Sequence, residues 1–357
     1  MMTRTGHGKG VSAARFWRAL ACALLGVAAG CGPGRVGPPW RASAKPSVWP
    51  LPPAAPCIRH EGAIASGEIG GSRGGVLSLL DLLLGAPKIQ LGTPHGIASD
   101  GTTLAIADSG RGVVHLLDLT RRRYRVLDAA GDTLLRCPIG VAPDGEGGLF
   151  VSDSVLARVF HFSADRRLLG EAGEKFVRPT GLAYDAARRR LHVVDTGAHA
   201  VHTFQQAPDG GMAPLRTLGS RGHEGPGALN FPTHAWVDGA GNLYVSDSMN
   251  HRIRIFDPDG RPTESFGKAG DGSGDFSKAK GVAADSEGHI YVVDSLYDVV
   301  QIFDRSGRFL LAFGGSGRAE GLLWLPTGIF IDREDRIYVA DSGNSRVEVY
   351  RYVRQGP

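Results

Sequence analysis

One pattern of residues returns six times between residues 94 and 354, and it dominates the prediction of the fold. An aspartate closes a compact apolar run in every copy, and successive aspartates are 45, 42, 52, 47 and 47 residues apart. This spacing is the length of one four-stranded β-propeller blade. The aspartates are Asp108, Asp153, Asp195, Asp247, Asp294 and Asp341.

Each copy has the same internal order of strands. It opens with Pro-x-Gly or a variant, and a short apolar strand, a turn, a compact second strand such as Leu243-Tyr244-Val245 and two further strands follow. The chain contains 52 glycines and 21 prolines, which interrupt it too often for long helices. We therefore predict an all-β fold, a six-bladed β-propeller of four-stranded blades.

The last copy ends after its third strand, so another segment has to supply the fourth strand of that blade. Lys88-Ile89-Gln90-Leu91-Gly92 precedes the first copy and is typical of a short strand. We expect this N-terminal strand to close the ring, because closure covers strand edges that would otherwise pair with other chains.

Two stretches carry a family resemblance. Leu243–Asp257 (LYVSDSMNHRIRIFD) and Ile337–Tyr350 (IYVADSGNSRVEVY) resemble the NHL repeat, and the likeness extends over residues 94–354. The resemblance implies a propeller of NHL-like blades. It does not imply one function, since NHL-like propellers include RNA binders, sensor ectodomains, lyases and protein scaffolds.

The N-terminus has the features of an export signal. A basic stretch ends at Arg18 and is followed by the apolar run Ala19–Gly30, which predicts a signal peptide over residues 1–30. Residues 27–31 resemble the bacterial lipobox, although Ala28 stands where leucine is usual. We therefore expect lipidation at Cys31 and an outer-membrane lipoprotein of the cell envelope that faces the periplasm or the exterior; an ordinary secretory signal is the alternative.

The rest of the chain divides by composition. Residues 31–60 are rich in proline and are interpreted as a tether from the lipidated cysteine. Residues 61–86 form a short helical or irregular lead-in, with a predicted helix at Val76–Leu84, and residues 87–354 form the propeller. Cys57 and Cys137 are able to pair in an oxidising compartment or to remain separate thiols, and the sequence leaves both open.

Charge argues against a nucleic-acid partner. The full chain carries a net charge of +4, but the first thirty residues hold four basic residues and no acid. The remainder has 36 basic and 36 acidic residues, so general attraction for phosphate backbones is absent.

We assign the six repeated aspartates to structure. A catalytic site uses a residue once, whereas these aspartates recur in every copy. Asp153, Asp247 and Asp341 are each followed five residues later by an arginine, which predicts exposed ion pairs across the hairpin.

Enzymes of this broad class need an unrepeated set of side chains at the channel. Peptide-amidating lyases place zinc-ligand histidines just after the proline that opens a blade, and here only His95 occupies that position, with His234 one residue further on. Catalytic zinc needs about three protein ligands. We predict no metal and no cofactor, with His95 as the sole candidate ligand, and keep a metal-dependent lyase or lactonase at the channel mouth as the alternative function.

The predicted function is binding of a protein or peptide partner by an envelope-anchored scaffold. The loops that open the first strands and those that join the second and third strands gather on one face of a propeller. The hairpin residues Met249, Tyr297 and Asn344 are expected nearby. The predicted binding face consists of His95, Ile139, Thr180, Thr233, His234, Lys280 and Thr327.

Overall fold

The structure, a computed structural model, describes residues 40–51, 57–68, 88–121, 123–173, 176–207 and 210–354. These residues form six antiparallel sheets, the blades, around a central channel. Neighbouring blades contact each other through their first strands, and the first strand of blade 6 contacts that of blade 1. The predicted six-bladed β-propeller is confirmed.

Each blade contains four strands, numbered here from the channel outward. The first strands are Pro94–Ser99, Pro138–Pro143, Pro179–Asp185, Pro232–Val237, Ala279–Ala284 and Pro326–Ile331. The second strands are Thr103–Asp108, Leu149–Asp153, Arg190–Asp195, Leu243–Asp247, Ile290–Asp294 and Arg336–Asp341. The third strands are Val113–Asp118, Arg158–Phe162, Ala200–Gln206, Arg252–Phe256, Val299–Phe303 and Arg346–Tyr352. The fourth strands are Tyr124–Leu127, Leu168–Glu171, Met212–Leu218, Pro262–Phe266, Phe309–Gly314 and, for blade 6, Ile58–Ala65.

Shorter elements lie outside the four main strands of each blade. Two 3₁₀ turns, Ser248–Asn250 and Ser342–Asn344, lie between second and third strands. The short strands pair as Arg41–Ala42 and Val48–Trp49 with Ile58–Ala65, Gly67–Glu68 with Lys88–Ile89, Ala129–Ala130 with Thr133–Leu134, and Ser220–Arg221 with Ala228–Leu229. No helix in the described ranges has the length and apolar character needed to cross a membrane.

A register shift near the start of each first strand positions the channel residues. The residue that opens the strand lies opposite the aspartate that ends the second strand, as in Pro94 opposite Asp108, and the register then shifts before Ile97. The same shift occurs in the other five blades. A bulge of this kind redirects side chains, so the two residues after each opening position are presented at the channel.

The apolar core lies between blades rather than in one central cluster. The cluster between blades 1 and 2, for example, joins Ala105 and Val114 to Val151 and Phe160. Both faces of the inner strands are therefore covered, which explains why the second strands are nearly continuous apolar runs.

The closing strand is not the one that the sequence analysis selected. Ile58–Ala65 pairs with Arg346–Tyr352 and completes blade 6, whereas Lys88–Ile89 pairs only with Gly67–Glu68. Ile58 and Ile64 are buried in the cores that flank blade 6. Closure by an N-terminal strand was predicted correctly, but its position was wrong because the eight-residue strand offers a longer pairing edge and two core side chains.

Two further predictions on the N-terminal region change with this result. The proposed tether, residues 31–60, includes strand residues and the buried Trp40, whose ring packs edge-on against Tyr338. The lead-in, residues 61–86, begins with most of the closing strand, while the predicted helix at 76–84, the signal peptide and Cys31 lie outside the described residues. Cys57 and Cys137 are separate free thiols.

Candidate functional site

One face of the ring, here called the mouth face, collects the segments that precede the first strands and the hairpins that join second and third strands. In each blade a backbone hydrogen bond joins the two, as from Ser109 N to Thr93 O at 3.1 Å and from Gly343 N to Trp324 O at 2.8 Å. The loops of this face are therefore held by the blades, and they surround the channel mouth.

The repeated aspartates lie directly beneath the mouth face, and each is fully or almost fully buried. Their carboxylates accept hydrogen bonds from backbone N–H groups of the preceding segment, as Asp108 does from Gly92 at 2.6 Å and Thr93 at 2.8 Å. Burial alone would raise the pKa of Asp195, but the imidazole of His202, 3.7 Å from the carboxylate, and hydrogen bonds from backbone N–H groups outweigh it and lower the pKa to about 2. Each carboxylate thus joins the end of the second strand to the segment that precedes the first strand.

The predicted arginine pairs are formed in two of three blades. Arg252 lies 2.9 Å from Asp247 and Arg346 lies 2.7 Å from Asp341. Arg158 instead pairs with Glu171 at 3.2 Å, because backbone N–H groups occupy both oxygens of the Asp153 carboxylate. The aspartates of these pairs are buried, so the expectation of exposed pairs was wrong.

The three threonines of the predicted binding face contact neighbouring blades. Thr180 Oγ1 donates to the carbonyl of Thr233 at 2.9 Å, and Thr327 Oγ1 donates to that of Pro94 at 3.2 Å. Thr233 Oγ1 shares a hydrogen bond with the Ser248 hydroxyl at 2.7 Å, and that hydroxyl reaches blade 5. These hydroxyls form hydrogen bonds that join neighbouring blades, a role that the sequence analysis did not assign to them.

The remaining predicted residues converge at the channel. His95 and His234 come from opposite blades, and both lie close enough to Lys280 for its charge to lower their pKa values. Neither ring nitrogen of His234 has a hydrogen-bond partner in the described part of the chain, although both atoms are buried. Ile139, half-buried, occupies the equivalent position in blade 2.

This cluster is electrostatically unusual. Burial and, second, the charge of Lys280 lower the pKa of His95 to about 4. Burial also lowers the pKa of His234 well below its ordinary value. For Lys280, burial and the nearby cations Lys278 and Arg178 lower the pKa to about 8. At neutral pH the site therefore holds two neutral imidazoles beside one ammonium that has no acidic partner among the described salt bridges.

Exposed apolar side chains surround this polar centre. Fifteen large apolar side chains are exposed in the described part of the chain, and nine of them lie on the mouth face. Five of the other six lie on outer, fourth strands. A concentration of exposed apolar side chains on one face is a feature of interaction sites. The mouth-face set, here called the apolar ring, is Leu134, Val155, Val177, Phe231, Met249, Leu296, Tyr297, Trp324 and Leu325.

Comparison with known proteins identifies the repeat. Residues 323–350, which cover the first two strands of blade 6, most of the third and the segment before them, match the NHL repeat. The chain contains an NHL repeat within a six-bladed β-propeller. The predicted NHL-like repeat is confirmed in blade 6 by this match, and the predicted propeller is confirmed by the six-bladed ring.

Several proteins resemble the NHL propeller in part. RING finger protein nhl-1 of Caenorhabditis elegans is 35% identical over 71 residues, which is 20% of this chain and 7% of that protein's length. An auxiliary nutrient binding protein from Bacteroides thetaiotaomicron is 14% identical with a TM-score of 0.58, over 74% of this chain and 70% of that chain. A virginiamycin B lyase from Staphylococcus aureus is 13% identical with a TM-score of 0.53, over 73% and 95%. The likeness to the two solved structures shows the fold alone.

The described part of the NHL propeller contains no group of three or more His, Cys, Asp or Glu side chains that is placed to hold a metal ion. Among these described residues His95 and His234 are two imidazoles without a third ligand, whereas catalytic zinc needs about three. A pocket within the channel, lined by His234 and by residues of the other first strands, has a volume of about 50 Å³, well below the ~300 to 1,000 Å³ of small-molecule sites.

Most of the apolar ring was missed at the sequence level. Only Met249 and Tyr297 were named beforehand, although Val177, Trp324 and Leu325 lie in segments between strands, where polar turn residues are expected. Large apolar residues in such positions are a readable signal. These residues lie outside the position after the opening proline, from which the binding face was predicted.

Proposed function

We propose that this NHL propeller is an envelope-anchored scaffold that binds a protein partner through the mouth face. The observation that carries the proposal is the apolar ring around the Lys280 ammonium, which has no ion pair among the described residues. Apolar side chains supply the buried core of an interface, and a half-buried cation without a counter-ion favours an acidic group from the partner. The partner is therefore expected to present an apolar surface with a carboxylate near its centre.

Anchoring in the envelope is supported by the N-terminal residues alone. The apolar run that ends at Cys31 resembles a lipoprotein export signal, and acyl chains on one cysteine provide the membrane affinity that a single chain lacks. The propeller would then act at the outer membrane, facing the periplasm or the exterior, and would hold its partner there.

The experiment compares two triple variants of the full chain. The first, Val155→Ser, Leu296→Ser and Trp324→Ser, removes apolar groups from the mouth face. The matched control, Leu169→Ser, Leu215→Ser and Leu310→Ser, removes exposed apolar groups from outer strands. Proteins that co-purify with the detergent-solubilised wild type are expected to be lost from the first variant and retained by the second. Retention by both variants would contradict the proposed site.

A third variant tests the electrostatic part of the proposal. Lys280→Gln keeps a polar side chain but removes the charge, so it is expected to weaken binding of the captured partner and to reduce the sensitivity of binding to salt. Binding that has the same affinity and salt dependence in the variant would show that the ammonium does not meet an acidic group.

A further inference from the structure

Blade 4 departs from the repeat at three consecutive positions of its first strand. The sequence there is His234-Ala235-Trp236. The other five blades have glycine at the first position and a branched aliphatic residue at the second, and four of the five have alanine at the third. Positions with the same structural role have the same kind of residue in the other blades. Three neighbouring differences in blade 4 therefore indicate that its surroundings differ locally.

The glycine position controls how closely neighbouring blades approach each other. A Cβ atom at Gly140 would lie 2.2 Å from the carbonyl oxygen of Thr180 in the next blade, and one at Gly328 would lie 2.0 Å from that of His95. Glycine is thus required for backbone contact at these seams. His234 carries a real Cβ and an imidazole, and therefore keeps blade 5 from approaching blade 4 in the same way.

The greater exposure of residues in blade 4 shows that the seam between blades 4 and 5 is open. Five of the six residues in the first strand of blade 4 are half-buried, whereas the corresponding strands of blades 1, 2 and 5 have four buried residues each. Tyr244 is half-buried, yet Tyr291 and Tyr338, its equivalents in blades 5 and 6, are exposed by 1% or less.

The opened seam forms a cleft of about 510 Å³ on the face opposite the mouth. Its volume lies within the ~300 to 1,000 Å³ that is typical of small-molecule sites. Blade 4 contributes Trp236, Tyr244 and the turn Asp238–Asn242, and blade 5 contributes Ile290 and Arg305. The cleft is therefore separate from the channel and from the mouth face.

The cleft is lined by aromatic rings and by both hydrogen-bond donors and hydrogen-bond acceptors. The Trp236 and Tyr244 rings lie 5.2 Å apart between centroids. Arg305 forms no ion pair among the described residues, and its guanidinium has only one long hydrogen bond, 3.4 Å to the carbonyl of Glu287. Asn242 donates its amide N–H to Asp238 at 2.8 Å, which leaves the amide oxygen available as an acceptor.

We propose that the cleft between blades 4 and 5 binds a neutral carbohydrate of one to a few sugar rings. A sugar has apolar C–H faces that pack on aromatic rings and hydroxyls that both donate and accept. Arg305 supplies donors, and Asn242 and the Asp238 carboxylate supply acceptors. The carboxylate disfavours an anionic ligand and the guanidinium disfavours a cationic one, so an uncharged polyol matches the lining best.

The test is saturation-transfer NMR on the full chain with glucose, maltose, cellobiose and chitobiose as probes. At least one saccharide is expected to bind, and Trp236→Ala and Arg305→Gln are each expected to weaken that binding by about tenfold or more. Arg158→Gln is the matched control, since Arg158 is an exposed arginine of blade 2 that pairs with Glu171. It is expected to bind the saccharide as the wild type does.

Arg305→Gln keeps the test informative if Trp236→Ala lowers stability, because Arg305 lies at the rim of the cleft rather than in the core. Three results would overturn the proposal. These are no binding of any of the four saccharides, binding that both cleft variants leave unchanged, or a signal that depends on Trp236 for the aromatic anion benzoate but for none of the saccharides. Since neither cleft residue lies on the mouth face, these results are independent of partner capture.

Discussion

The Nε2 atom of His60 lies 2.5 Å from Oε2 of Glu348, and both side chains are completely buried. The contact joins the closing strand to the last strand of the ring, 288 positions apart. Arg346 lies 2.8 Å from the other oxygen of the Glu348 carboxylate. The two ends of the propeller are thus connected by a polar network inside blade 6, in addition to the backbone ladder.

Replacing His60 tests this closure. His60→Ala leaves a buried carboxylate without one of its two partners, which costs about 3 to 5 kcal/mol in comparable buried pairs. Arg59→Ala, one residue earlier on the same strand, removes a half-exposed side chain and should stay within ~0.5 kcal/mol of the wild type. Chemical denaturation measures both changes. Similar free energies of unfolding for the two variants would show that the pair does not stabilise the ring.

Truncation tests which segment closes the ring. A chain that begins at Gly70 lacks the closing strand and exposes the edge of Arg346–Tyr352, so it is expected to aggregate or to melt far below the wild type. A chain that begins at Pro38 retains Trp40 and the closing strand and should remain soluble with a melting temperature close to that of the wild type. Equal behaviour of the two chains would contradict the observed pairing.

The close approach between blades 6 and 1 predicts a sharp difference between two glycines. Gly328→Ala places a methyl group 2.0 Å from the backbone oxygen of His95, and overpacking of this kind costs about 1 to 3 kcal/mol or more. Gly227→Ala meets no atom within 4 Å and should have little effect. Thermal unfolding of both variants checks the prediction, which fails if the two melting temperatures agree.

Lys280 is predicted to lower stability. Its pKa of about 8 in the folded protein lies below the ordinary 10.5, so the folded state disfavours the charged form. Lys280→Met should therefore raise the free energy of unfolding at pH 7 by roughly 1 to 3 kcal/mol. The gain is complete below pH 8, declines between pH 8 and 10.5, and vanishes above that range, where the lysine is neutral in both states.

Denaturation at pH 7 and pH 10 measures this difference. A gain that is the same at both pH values would have to come from packing rather than from charge. Loss of partner binding together with increased stability would be the pattern expected of a residue that is retained for function.

Cys31 provides the test of anchoring. The wild type is expected in the membrane fraction, and Cys31→Ser is expected to remain uncleaved or to appear in the soluble fraction. Fractionation followed by mass measurement of the N-terminus distinguishes lipidation from ordinary signal cleavage. A wild type that is freely soluble in the periplasm or the medium would contradict the lipoprotein prediction.

The architecture of this protein could be predicted from its residues because the strand and turn signals that determine a blade are local in sequence and occur in six copies. Strand propensity and turn chemistry act over a few residues, and six copies in register specify six blades. The same reasoning assigned the buried aspartates to structure, since their recurrence reflects a common local demand. Even the position that meets the channel was recognisable, because it follows the opening proline in each copy.

Contacts between distant segments were decided only by the tertiary structure. Ile58–Ala65 was overlooked because it contains few strongly apolar residues, and its suitability depends on Arg346–Tyr352, which folds against it from the other end of the chain. The hydroxyl bridges of Thr180 and Thr327, the convergence of His95 with His234, and the open seam beside Trp236 likewise depend on how neighbouring blades approach each other. Periodicity specifies which way a side chain faces within its own strand, but not which atoms of another blade it will meet, and both candidate sites of this propeller are formed between blades.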